Sequence, residues 1–143
     1  MRTHRRPKGF TLIEIVIAIA ILAILSAIVI PRVVGRVEDA RVARAKSDIQ
    51  ALGTALNLYK LDNFAYPSTE QGLEALVSKP AGSPEARNWK QGGYIERLPK
   101  DPWGNDYQYI SPGQRGEVDV YSLGADAQLG GEGAAADVGN WND

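Results

Sequence analysis

Glu14 is a carboxylate set in an otherwise apolar run, FTLIEIVIAIAILAILSAIVI, from Phe10 to Ile30. An ionised side chain inside a membrane costs about 3 kcal/mol on insertion scales, so a carboxylate there requires a partner. Other reactive chemistry is scarce. The chain has no cysteine, which removes thiolate metal sites, cysteine nucleophiles and disulfides. Its single histidine, His4, precedes the apolar run, so everything after it lacks the usual general base and metal ligand near neutral pH. With no nucleophile–base pair and no convergent acidic cluster in view, the residues point away from an enzyme.

The element that carries Glu14 must be a helix. Its 21 residues hold two hydroxyls, Thr11 and Ser26, and one charge. At 1.5 Å per residue they span about 31 Å, close to the roughly 30 Å of a bilayer's hydrocarbon core. A secretory signal peptide has a shorter apolar region, roughly 7 to 15 residues, and ends at a small-residue cleavage site. This run continues into IVIPRVV without one. The remaining length, in a chain of 143 residues that is 44% hydrophobic, suffices for one modest globular domain. Arg2, Arg5, Arg6 and Lys8 precede the run, leaving 12 basic against 17 acidic side chains beyond them. That acidic balance speaks against nucleic-acid binding.

Beyond the run, Pro31 can kink the helix or mark the bilayer exit. Ala45, Ile49, Leu52, Leu56 and Tyr59 then recur at spacings of four and three, which predicts an amphipathic continuation to about Asp62 with that stripe against a core. The mixed charges between Arg32 and Asp48 read as a solvated face. NFAYP, residues 63–67, ends the helix through Pro67. Ser68 or Thr69 can cap a short helix over 69–79, with Leu73, Leu76 and Val77 on its apolar face. Residues 80–93 read as loop. Strands are predicted at 106–110 and 117–123, where Val118, Val120 and Ser122 alternate with Asp119, Tyr121 and Leu123, joined by the turn residues SPGQRG. Trp89, Trp103, Tyr107 and Tyr109 are read as core or rim packing. The predicted architecture is α+β, a long helix packed on a small antiparallel sheet. The tail from Leu123 to Asp143 is too poor in apolar mass to pack on its own core, so something must pin it.

The N-terminal pattern KGFTLIEI, with its four upstream basic residues, resembles the class III leader of type IV pilins and type II secretion pseudopilins. Residues 61–76, 98–109, VYSLGAD at 120–126 and DVGNW at 137–141 extend the resemblance over nearly the whole chain, toward the major pseudopilins of type II secretion. The resemblance implies a type IV pilin-like fold and four segments: a leader, 1–9, that is removed; a transmembrane and filament-core helix, 10–30; its amphipathic continuation, 31–62; and a small domain, 63–143. It implies that a prepilin peptidase cuts after Gly9 and methylates the new amine of Phe10. Glu14 would then pair in a filament with the amino terminus of a neighbouring Phe10, so that neither charge stays unpaired. The subunit would sit in the bacterial inner membrane, among lipid, with its N-terminus cytoplasmic. It would then enter a periplasmic pseudopilus, a helical homo-oligomer that helps export folded proteins across the outer membrane. Minor pseudopilins and an inner-membrane assembly platform are the implied partners. A type IV pilus subunit for adhesion or motility is the alternative, and the missing cysteines speak against it. The resemblance also implies a calcium loop, with Asp126 as side-chain ligand and carbonyls near Leu123, Gln128 and Gly131. Ala127 stands where the family has glycine, and Gly133 to Ala136 lack the usual acidic residues, leaving Asp137 or Glu132 as the second carboxylate.

Overall fold

The computed structural model describes residues 9–141, apart from the side chains of 30–34. The basic residues of the leader, His4 and the side chain of Pro31 lie outside the described residues. The chain divides into two compact units, Met1–Val37 and Glu38–Asp143. One helix, α1, runs from Leu12–Asn63 and contributes to both.

In the first unit α1 is apolar all round. Its stretch Leu12–Val29 has a mean hydropathy of 3.0 and none of it is buried within the chain. A helix with no buried face owes nothing to packing against its own chain, and this one is long and apolar enough to cross a membrane.

In the second unit the stripe expected on α1 is the core. Ala45, Ile49, Leu52, Leu56 and Tyr59 are buried, joined by Ala55. Facing them are Leu73, Ala75, Leu76, Tyr107, Tyr109, Val118, Val120 and Val138. Each buried Leu or Ile stabilises the fold by about 1.5–3 kcal/mol, so this stripe is what fastens α1 to the rest of the unit. Two carboxylates on the helix add polar clamps. Glu38 Oε2 accepts from Trp103 Nε1 at 3.3 Å, and Asp48 Oδ2 accepts from the Tyr107 hydroxyl at 3.0 Å. The charged stretch is therefore not all solvated face: two of its members hold aromatic side chains of the same unit. Burial, then the neighbouring Asp48, pushes the Tyr107 hydroxyl pKa up. Burial likewise pushes Tyr109 up to about 12.

The helix stops at Asn63 because Phe64 turns left-handed, at φ 66°, with its N–H still donating to Lys60 O at 2.7 Å. The predicted helix over 69–79 is only a 3₁₀ turn, Leu73–Leu76. Ser68 and Gln71 do form a reciprocal cap, Ser68 N–H to Gln71 Oε1 at 2.9 Å and Gln71 N–H to Ser68 Oγ at 3.2 Å. Gly72 then leaves the helical region at φ 61°, which ends the turn before an α-helix can propagate. Leu73 and Leu76 are buried as expected, but Ala75 takes the place assigned to Val77.

Of the three strands among the described residues, two lie inside the predicted runs: β1, Gln108–Ile110, and β2, Asp119–Ser122. They pair antiparallel with Tyr109 opposite Val120. The third, β3 at Val138–Gly139, pairs antiparallel with β2 and is too short to show an alternation. Asn140 secures it: its N–H donates to Val120 O at 3.0 Å, its Nδ2 to Val118 O at 2.8 Å, and its Oδ1 accepts from Val120 N–H at 3.2 Å. Asp119 alternates with Val118 and Val120 and yet is buried with them. Its carboxylate accepts the N–H groups of Gln114, Arg115 and Gly116 at 2.7–3.3 Å, so the hairpin loop is wound around it.

Candidate functional site

At the N-terminal end, Gly9 and Phe10 precede the first helical turn and are exposed, so the bond between them is open to a protease. Thr11 and Glu14 cap α1 reciprocally. Thr11 N–H and Oγ1 both donate to Glu14 Oε2, at 2.7 and 3.0 Å, while Glu14 N–H donates to Thr11 Oγ1 at 3.3 Å. Two donors of the helix start are thereby satisfied. Among the described residues no hydrogen bond or ion pair falls on Glu14 Oε1, which stays open to a further donor. The S/T-x-x-E spacing that marks such a cap is visible in TLIE, although Glu14 draws attention first as a charge in an apolar run.

At the other end of the chain the tail is folded by glycine geometry. Leu123 caps a 3₁₀ turn, Gly124–Asp126, and Glu132 caps another, Gly133–Ala135. The two turns pack closely: a Cβ on Gly124 would lie 2.8 Å from Ala136 O, and one on Gly131, at φ 84°, would collide with Ala135 O. Ala127 is left-handed at φ 54°, where a glycine would sit without strain. Asp126 is exposed, and its Oδ1 accepts Gln128 N–H at 3.1 Å. Glu132, Gln128 and Gly131 are exposed as well.

Asp137 is the carboxylate the fold turns inward. Its Oδ2 accepts Gly130 N–H at 3.0 Å, whereas Oδ1 is buried without a hydrogen-bond partner. An orphaned buried carboxylate oxygen is expensive, and a water molecule or a cation can satisfy it. Among the described residues no three acidic or histidine side chains converge, so a cation here would depend largely on backbone carbonyls. That donor set, carboxylate plus carbonyl oxygens of a tight turn, fits a hard ion such as calcium.

Beneath this loop lies a group that the sequence reading missed. Asp101 is buried; its Oδ1 accepts Trp103 and Asn105 N–H at 3.0 and 2.8 Å, and its Oδ2 accepts the Ser122 hydroxyl at 2.6 Å. Ser122 Oγ in turn accepts Gly124 N–H at 3.2 Å, tying the start of the tail loop to the 101–105 turn. The available signal was KDPWGN, an Asx-type turn with proline and glycine. Trp141 closes the tail: its ring centre lies 5.4 Å from that of Tyr121, tilted by 50°, and 4.2 Å from the Arg115 guanidinium carbon.

Residues 32–141 match the family described as type II secretion system (T2SS), protein G. The chain belongs to the protein G family of the type II secretion system. Residues 4–30 match the prokaryotic N-terminal methylation motif, which contains Gly9, Phe10 and Glu14. Type II secretion system core protein G of Vibrio cholerae is 58% identical over 99% of this chain and 97% of its own length. The Pseudomonas aeruginosa core protein G is 57% identical over 97% and 98%. Among solved structures, the major pseudopilin of the type 2 secretion system of enterohaemorrhagic Escherichia coli superposes with a TM-score of 0.69 at 50% identity, covering 75% of this chain and 87% of that one. The protein G relatives thus support the pseudopilus reading over a type IV pilus subunit for adhesion or motility.

Proposed function

We propose that this protein G family member is the repeating subunit of a periplasmic pseudopilus. The observation that carries the reading is a helix start that bears a methylation motif, one carboxylate and an apolar stretch with no face buried within its own chain. Cleavage after Gly9 by a prepilin peptidase, followed by methylation, creates a cationic terminus at Phe10, four residues before Glu14. The subunit waits in the inner membrane with its N-terminus cytoplasmic and is then extracted by the assembly platform. In the fibre its apolar helix exchanges lipid for neighbouring helices. Glu14, through the oxygen its cap leaves open, takes the Phe10 amine of a neighbour. Minor pseudopilins share this machinery, and growth of the fibre helps export folded proteins across the outer membrane. Overproduction together with the secretion machinery should yield fibres composed of this chain, and deleting it should strand folded substrates in the periplasm. Normal export without it would contradict the reading.

The tail loop is proposed to hold calcium through Asp137 and Asp126, with carbonyls near Leu123, Gln128 and Gly131; Glu132, exposed at the cap of its turn, is the weaker carboxylate. A bound calcium ion would supply the positive charge that the buried Asp137 oxygen lacks. Titrating calcium against the unit Glu38–Asp143 should raise its stability by about 2.7 kcal/mol at a hundred times the dissociation constant. Asp137→Ala and Asp126→Ala should each abolish that increment, whatever they do to the calcium-free baseline. An unsubstituted unit whose melting is indifferent to calcium would exclude the site.

A further inference from the structure

The peptide unit between Leu123 and Gly124 opens the tail loop, and two buried side chains hold it. Ser122 is 0% exposed and Asp101 3%. The Ser122 hydroxyl donates to Asp101 Oδ2 at 2.6 Å, so its proton is committed and its oxygen is free to accept Gly124 N–H at 3.2 Å. That N–H and the Leu123 carbonyl belong to one planar trans peptide and point in opposite directions. Fixing the N–H on Ser122 therefore fixes the Leu123 carbonyl as well, turned away from the buried pair. Asp101 is itself held by Trp103 and Asn105 N–H at 3.0 and 2.8 Å, so the anchor does not depend on the loop.

The same serine stands at the other end of the loop. It is the register partner of Val138 across β2 and β3, and Val138 follows Asp137, whose Oδ1 is buried without a hydrogen-bond partner. The two ends meet at Gly124, where a Cβ would lie 2.8 Å from Ala136 O. Ser122 thus adjoins the Leu123 carbonyl along the chain and Asp137 across the sheet, two of the oxygen donors proposed above for calcium. Groups that hydrogen-bond a metal's ligands set its affinity without touching the metal. We propose that Asp101 and Ser122 are positioning residues of the calcium loop: by holding the Leu123–Gly124 peptide they orient the Leu123 carbonyl before the ion arrives. This inference rests on the calcium reading of the loop.

The test titrates calcium calorimetrically into the full-length chain in detergent micelles, with the calcium-free melting of each variant measured beside it. Ser122→Ala should raise the calcium dissociation constant about tenfold or more. Asp101→Asn keeps an oxygen for the two turn N–H groups but faces the Ser122 hydroxyl with an amide donor. The hydroxyl must then turn its proton elsewhere, in competition with Gly124 N–H, so this variant should raise the constant too, and it serves if Ser122→Ala does not fold. Tyr109→Phe supplies the comparison. It removes a buried hydrogen bond to Pro67 O at 2.8 Å, outside the loop, and should lower the melting temperature while leaving calcium affinity parental. A parental dissociation constant in a folded Ser122→Ala or Asp101→Asn chain, or an equal rise in Tyr109→Phe, would overturn the proposal and leave the pair as a support of the fold alone. Failure of the unsubstituted chain to bind calcium would instead remove the calcium reading, and this inference with it.

Discussion

Glu14→Gln should be processed normally and yet assemble at least about a hundredfold less fibre than the parent chain. Glutamine is close in shape to glutamate, and its amide oxygen can still accept the Thr11 N–H and hydroxyl that Glu14 Oε2 accepts at 2.7 and 3.0 Å. The start of α1 therefore survives, and only the charge is lost. Between the apolar helices of a fibre, that loss leaves the cationic amine of Phe10 without its counter-ion. Removing one partner of a buried ion pair costs roughly 3–5 kcal/mol, which corresponds to a hundredfold or more in each association step. Quantifying sheared fibres, with the N-terminus of the variant sequenced to confirm cleavage, reads the effect. Fibres at parental yield would mean that the carboxylate serves only as a helix cap.

The second large effect falls on the folded head. Asp101→Ala should destabilise the unit Glu38–Asp143 by about 3 kcal/mol or more, because three donors lose their acceptor and each unsatisfied buried group costs roughly 1–3 kcal/mol. The donors are Trp103 N–H, Asn105 N–H and the Ser122 hydroxyl. For a domain of this size that is a fall in melting temperature of more than roughly 10 °C. Ser122→Ala should cost less, since the carboxylate keeps two of its donors. Because Ser122 Oγ also takes Gly124 N–H, both substitutions should loosen the tail loop, which limited proteolysis between 123 and 137 would register. A loss below about 1 kcal/mol for Asp101→Ala would show that water replaces the carboxylate without penalty.

The features legible in the sequence were those whose signal repeats. The stripe Ala45, Ile49, Leu52, Leu56 and Tyr59 states its helix and its buried face through spacing alone, and all five are buried. β1 and β2 fall inside the two predicted strand runs, shortened at their ends. What stayed hidden depends on single residues and on closure in space. Gly72 stops a helix that its capping residues begin, and no periodicity reports a left-handed backbone. β3 is two residues long, and its pairing with β2 is secured by Asn140, a residue beyond its end. Asp101 and Asp119 look like solvent-facing turn and strand positions in sequence, yet each is buried because backbone N–H groups wrap around its carboxylate. Asp126 came first among the tail carboxylates by resemblance. The fold instead turns Asp137 inward with a free oxygen, a distinction that rests on where β3 places it.

Cleavage between Gly9 and Phe10 is the claim on which both the fibre and the Glu14 pairing depend. The most direct measurement is intact mass with N-terminal sequencing of the chain recovered from its native membrane. A chain beginning at methylated Phe10 is the predicted result. A chain still beginning at Met1, or cut beyond Ile30, would contradict the account and leave a simple membrane anchor or a released domain.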